Sequence, residues 1–216
     1  MATTTAAFDT GEAHDGPAPL VAGRTLPQKI VTCLTTTDHK VIGIQFLLCS
    51  LIFFFVGGYL AVLLRTQLAF PYDVPGGAVL QEILPEGAVI SSTVDDKTTY
   101  SFDGGFFTML TTMHGSVMIF LVIIPLLTGA FGNFLIPLQI GARDMAYPFL
   151  NMLSYWIYLL AVLVLVASFF APGGPTGAGW TLYPPQAIMT GTPGGQQSGI
   201  ILMLVSLILF VIGFTM

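Results

Sequence analysis

Charge is what this chain lacks. Of its 216 residues only 8% are Asp, Glu, Lys or Arg, against about a quarter in an ordinary soluble domain. From Met145 to Met216 no charged side chain and no histidine occurs at all. A water-soluble globule is excluded, and a polytopic membrane protein is expected in its place. Positive charge is scarcer still. Six Lys and Arg against eleven acids give a net charge of −5, concentrated in the N-terminal arm and the stretch 65–103, so no nucleic-acid face is expected. Cysteine is limited to Cys33 and Cys49, spaced too widely for a CxxC site and read as small buried hydrophobes.

What is present is apolar and long. Residues 1–29, rich in Thr, Ala, Gly and Pro without helical or strand periodicity, are expected to form a mobile polar arm, and nothing in them resembles a signal peptide. Residues 30–216 are read as an all-α polytopic helix bundle. The first span covers 41–64, 24 residues without a charge, enough for a hydrocarbon core of about 30 Å. The second covers 106–127, and Gly129, Gly132 and Pro137 are expected to end it. The third covers 145–170, stopped by Ala171-Pro172-Gly173-Gly174-Pro175. The fourth, 200–216, is read as a truncated span at the lower limit for a crossing. Arg24, Lys29 and Lys40 before the first span and Arg143 between the second and third predict a cytoplasmic N-terminus, and alternation then places 65–103 outside.

Chemistry has few carriers here. His114, in Met113-His114-Gly115-Ser116, is the only titratable group inside the second span, and such a group is costly and a functional candidate by default. Taken alone it is a metal or haem ligand, a structural histidine or a proton relay. Arg65, at the end of the first span, is either a snorkelling cation or a donor to the edge of a bound cofactor. Asp144, in Ala142-Arg143-Asp144-Met145, is either half of a local Arg–Asp pair or the collector at the mouth of a water path walled by Asn133, Asn151 and Ser154. Trp180 reads first as an interfacial anchor.

Six strings in one order, spread over about residues 30–216, together resemble the N-terminal part of subunit I of the haem-copper oxidases, most closely cytochrome c oxidase. They are Thr37-Asp38-His39-Lys40-Val41-Ile42-Gly43, Leu63-Leu64-Arg65, Met113-His114-Gly115-Ser116-Val117-Met118, Gly129-Ala130-Phe131-Gly132-Asn133 through Pro137, Gly141-Ala142-Arg143-Asp144-Met145-Ala146-Tyr147-Pro148, and Gly179-Trp180-Thr181-Leu182-Tyr183-Pro184-Pro185. The resemblance implies that these helices are part of a subunit of about twelve spans. It implies His114 as an axial ligand of low-spin haem A, Arg65 as donor to the haem formyl group and Trp180 as neighbour of the propionates. It implies Asp144 as the entrance of a D-type proton pathway, with Asn133, Asn151 and Ser154 along it.

The same resemblance implies a terminal respiratory oxidase in a bacterial inner membrane. Electrons from cytochrome c would pass through the low-spin haem to a haem-copper centre that reduces dioxygen to water while protons are pumped. The second haem, the copper and the other axial ligand are expected outside this segment, so the segment is not expected to be catalytic alone. The implied partners are the remainder of subunit I, subunits II and III, the electron donor and membrane lipid. A quinol oxidase of the same superfamily, or a scaffold without haem, are the alternatives. Two positions depart from the pattern: Phe46 stands where many members carry a pathway tyrosine, and Gln67 where many mitochondrial members carry a cation-site glutamate.

Overall fold

The computed structural model describes residues 25–184, 187 and 197–216. Most of the expected polar arm, Arg24 included, and part of the connection after Trp180 lie outside the described residues. The chain divides into two compact units, 1–36 and 37–216. In the first, Leu26–Leu34 form a nine-residue helix, α1, so the arm does not extend to residue 29 as expected. Gln28 Oε1 accepts from the Thr25 backbone N–H at 3.1 Å, which satisfies a donor at the helix start and allows the apolar residues after it to wind.

The second unit holds four helices long and apolar enough to cross a membrane. The first, α2, runs His39–Ala69 for 31 residues and so continues past Arg65. Its start is set by Asp38, whose carboxylate accepts from the Lys40 N–H at 2.9 Å. After a short helix α3 (Gly77–Ile83), an antiparallel hairpin forms from β1 (Val89–Val94) and β2 (Lys97–Phe102), in register from Val89 with Phe102 to Val94 with Lys97. Asp95 and Asp96 turn it with φ of 50° and 62°, the paired left-handed conformation that a two-residue hairpin loop with the right twist requires. This folded insertion between the first two spans has no counterpart in the sequence reading. Gln67 ties it down: its side-chain oxygen accepts from Phe102 N–H at 2.7 Å and its amide nitrogen donates to Pro71 O.

The second span is longer than expected, 37 residues from Gly104 to Ile140. It comprises α4 (Gly104–Ser116), two π-helical stretches, Val117–Ile123 and Pro125–Phe131, and α5 (Gly132–Ile140). Gly129, Gly132 and Pro137 therefore do not end the helix. The widened π-helical turns carry the chain across Pro125, which has no N–H to give, and Gly129 is a packing residue: a Cβ there would lie 2.6 Å from the Phe46 ring. Gly57 does the same against Met118, whose Sδ would be 2.6 Å away. Between helices surrounded by lipid the apolar effect is weak, so such close approaches and the dispersion they permit hold the spans together. Gly141, at φ 69°, closes α5 in the left-handed conformation.

The third span, α6, is Pro148–Ser168, and the fourth, α7, is Gln197–Thr215. They pack side by side, with Ser206 Oγ of α7 donating to Ala161 O of α6 at 2.8 Å. A Cβ on Gly213 would come within 3.2 Å of Ser154 O, so the α7 backbone lies almost against α6 there. The buried centre is aromatic: Phe46, Tyr155, Tyr158, Phe210 and Phe214 meet in tilted and edge-to-face pairs, the closest with centroids 4.5 Å apart. Outward-facing Phe55, Val62, Leu138 and Phe170 are exposed, as a lipid-facing surface requires.

Candidate functional site

The expected site residues fall into two groups, at opposite ends of the unit. At the hairpin end, α4 places His114 against α2, and His114 Nδ1–H donates to the Gly57 carbonyl at 3.0 Å. That bond fixes the tautomer and ring plane and directs Nε2 away from the backbone, the arrangement in which a neutral imidazole can ligate a metal. His114 is half-buried. A Cβ on Gly115 beside it, or on Gly58 next to Gly57 in α2, would meet no atom within 4 Å, so both positions adjoin open space. Arg65 lies seven residues beyond Gly58, two turns up the same face of α2 and about 10 Å along it. Its exposed guanidinium makes no hydrogen bond or ion pair with the described residues.

Trp180 comes to the same neighbourhood from the connection after α6. The Gly179 N–H donates to Thr112 Oγ1 at 3.1 Å, and the Trp180 ring packs edge-on to Phe120 with centroids 5.5 Å apart. Thr112 lies two residues before His114 and Phe120 six residues after it in the second span, so these contacts hold the connection along that span. A ring nitrogen held in one tautomer, glycines on the adjoining backbones, a free guanidinium and an indole suit a flat macrocycle with a polar edge. Among the described residues no three His, Cys, Asp or Glu are grouped so that they could hold a metal ion. A cavity of about 670 Å³ between α2, α4, the segment just before β1 and the connection after α6 is lined mainly by apolar residues and includes none of the expected site residues.

At the opposite end the local Arg143–Asp144 pair, one of the two readings open in the sequence, does not form among the described residues. Asp144 Oδ1 accepts from His39 Nδ1 at 3.0 Å and from the Met145 N–H at 2.8 Å. His39 is 3% exposed, and the Asp144 side chain 45%. The imidazole thus holds a carboxylate that still reaches water. Sequence reading missed His39 because 105 residues separate the partners.

Asn133, Asn151 and Ser154 do come together. Asn151 Nδ2 donates to Asn133 Oδ1 at 2.6 Å, Asn133 Nδ2 to Gly129 O at 2.6 Å, and Ser154 Oγ to Asn151 O at 2.7 Å. Leaving a buried amide unpaired costs about 1–3 kcal/mol, so this chain of bonds keeps two asparagines tolerable inside the bundle. A cavity of about 250 Å³ is lined by both asparagines, Ser154, Met145 and Tyr147 and reaches Phe46 and Phe214. It opens one residue from Asp144.

Residues 41–216 match the family described as Cytochrome C and Quinol oxidase polypeptide I. The chain belongs to this family. It is 51% identical over 180 residues to the alternative cytochrome c oxidase subunit 1 of Bradyrhizobium diazoefficiens, an alignment covering 83% of this chain and 26% of that protein. It is 41% identical over 155 residues to cytochrome c oxidase subunit 1 of Thermostichus vulcanus, covering 72% of this chain and 23% of that protein. To the heme-copper oxidase subunit I+III of Aeropyrum pernix it is 40% identical over 161 residues, covering 74% and 16%. The chain thus spans about a quarter of the length of the first two relatives. The four apolar helices and the family membership make it an integral membrane protein, part of the helical bundle of an oxidase subunit I.

Proposed function

We propose that the chain supplies the low-spin haem side and the proton entrance of a terminal oxidase that takes electrons from cytochrome c and reduces dioxygen. The observation that carries this is His114, its Nδ1–H held by Gly57 O at 3.0 Å so that Nε2 is left for a ligand, with open space at the neighbouring Gly58 and Gly115. When bound, a haem A there supplies reversible one-electron transfer. The chain's own residues do the rest. His114 ligates as a neutral imidazole, and the Gly57 carbonyl raises its basicity by accepting the other ring proton. Arg65 donates to the polar edge of the ring, and Trp180 closes it off from the hairpin side.

At the other end Asp144 exchanges protons with water, steadied by His39, and the Asn133 and Asn151 amides orient waters inward along the cavity. In this reading the end bearing Asp144 and the N-terminus faces the cytoplasm of a bacterium, and the hairpin faces outward. The remaining ligands, the copper and subunits II and III come from beyond these residues. The spans are assigned as helices 1–4 of the subunit.

A reduced-minus-oxidised spectrum of the purified complex tests the proposal, followed by oxygen uptake with reduced cytochrome c and with a quinol as alternative donors. Haem A bands and uptake with cytochrome c are expected. Uptake with quinol alone transfers the assignment to a quinol oxidase, and a complex without haem bands leaves only a scaffold.

Arg65 offers a finer measurement. A guanidinium beside the ring favours the reduced state, so Arg65→Met is expected to lower the haem midpoint potential and shift its absorption maximum while the iron stays ligated. A differential stabilisation of about 1.4 kcal/mol corresponds to about 59 mV for one electron, which places the effect in the range of tens of millivolts. Redox titration monitored at the haem band reads it. An unchanged potential returns Arg65 to a snorkelling cation.

A further inference from the structure

Two hydroxyls in the middle of the bundle take no part in the path from Asp144 to Ser154. Ser50 of α2 is 1% exposed, and its Oγ has no hydrogen-bond partner among the described residues. This is unusual within the bundle itself. Ser116, Ser154 and Ser168 each return their hydroxyl proton to a carbonyl three or four residues earlier, the ordinary way in which a helical serine is satisfied. Ser50 does not.

Tyr158 of α6 is the second. It is fully buried and its hydroxyl donates to Leu121 O at 3.0 Å. That carbonyl lies in the π-helical stretch Val117–Ile123, just before Pro125, so the tyrosine ties α6 to the widened turns of the second span. Having donated once, the phenol oxygen keeps a lone pair. Ser50 and Cys49 lie against this hydroxyl, yet no direct bond satisfies Ser50 Oγ. A buried serine hydroxyl that meets a phenol oxygen without reaching direct hydrogen-bond geometry leaves both with bonding capacity that an internal water can take up.

We infer that Ser50 Oγ and Tyr158 Oη hold an internal water molecule, and that this hydrated node is the next station of the proton path beyond Ser154. The inference rests on the reading of Asp144 as the entrance. Its position follows from helix geometry. Tyr158 is seven residues after Asn151, two turns along the same face of α6 and about 10 Å deeper. Ser50 is eleven residues after His39, three turns along the same face of α2. Both entrance-side residues thus have a hydroxyl in line above them. Phe46 and Phe214 line the entrance cavity, and each also touches the Tyr158 ring, with centroids at 5.3 and 6.0 Å, so the node begins where that cavity stops. In transfer the water accepts one proton on the Ser154 side and releases another onward, and the two hydroxyls finish as they began.

The test uses the assembled oxidase. An experimental map that resolves ordered waters is expected to show one within hydrogen-bonding distance of both oxygens, and a dry pair overturns the proposal. Infrared difference spectra are expected to contain a water O–H band that shifts in H2-18O and is lost in Tyr158→Phe. In that variant, proton uptake during turnover is expected to slow on the order of tenfold. Ser50→Ala supplies an independent reading. If the hydroxyl is a dry orphan, its removal raises the melting temperature of the complex and leaves the band and the uptake rate unchanged, which also overturns the proposal. Asp144→Asn is measured alongside. Normal uptake there defeats the entrance reading and the node's place on the path with it, whereas blocked uptake there with normal uptake in Tyr158→Phe defeats the node alone.

Discussion

Replacing His114 with alanine is expected to abolish the low-spin haem band of the oxidase altogether. An imidazole inside an apolar span is tolerated only if its nitrogens are used, and here one is already assigned: Nδ1–H goes to Gly57 O at 3.0 Å. The other is left for a ligand, and side chains added at the neighbouring Gly58 and Gly115 would meet no atom within 4 Å. Alanine removes the ligand and one hydrogen bond to the Gly57 carbonyl, which keeps its place in the α2 helix, at a cost of about 1 kcal/mol, small beside the packing of four spans. The helices are therefore expected to assemble without the haem. The measurement is a reduced-minus-oxidised spectrum on membranes in which the subunit is quantified separately by immunoblot. A normal amount of subunit with an unaltered low-spin band would show that His114 is structural. A second substitution separates fold from ligation: Gly115→Leu keeps the imidazole but fills the space beside it, and is expected to lower haem occupancy with the helix intact.

Much of this site was legible in the sequence, because the membrane imposes strong rules. A histidine in a run without charges is conspicuous, and so is an asparagine pair flanking Asp144. Element existence followed from length and hydropathy alone, and all four apolar stretches are helices of the bundle. Boundaries were another matter. Gly129, Gly132 and Pro137 carry the ordinary signals of a helix end, yet the second span runs through them. In lipid a helix that stopped there would expose unpaired backbone groups. Widened π-helical turns and the Phe46 contact at Gly129 absorb what the signals cost. The hairpin between β1 and β2 was hidden for a different reason. Its turn is Asp95-Asp96 without glycine, and Ser91, Ser92 and Thr93 on β1 are polar on both faces, so period-two alternation never appears. The pairing of His39 with Asp144 spans 105 residues and leaves no local trace.

That pairing bears on the second large effect. Asp144→Asn is expected to lower turnover by about 10²-fold or more and to stop pumping, while the haem spectrum stays normal. The amide keeps the size of the carboxylate, and its oxygen can still accept from His39 Nδ1 and from the Met145 N–H, both now served by Oδ1. The fold at this end is thus preserved, and only the group that gains and loses a proton is removed. The Asn133–Asn151 pair cannot replace it, since neither amide titrates. His39 cannot either, because at 3% exposure it has little access to bulk water. Its role is to position Asp144, so His39→Gln is expected to leave the pathway open but slower. Proton uptake from bulk water, followed with a pH-indicating dye during a single turnover, distinguishes the two variants. Wild-type pumping stoichiometry in Asp144→Asn would mean that protons enter elsewhere and that the cavity behind Asp144 is only a packing defect between α5, α6 and α7.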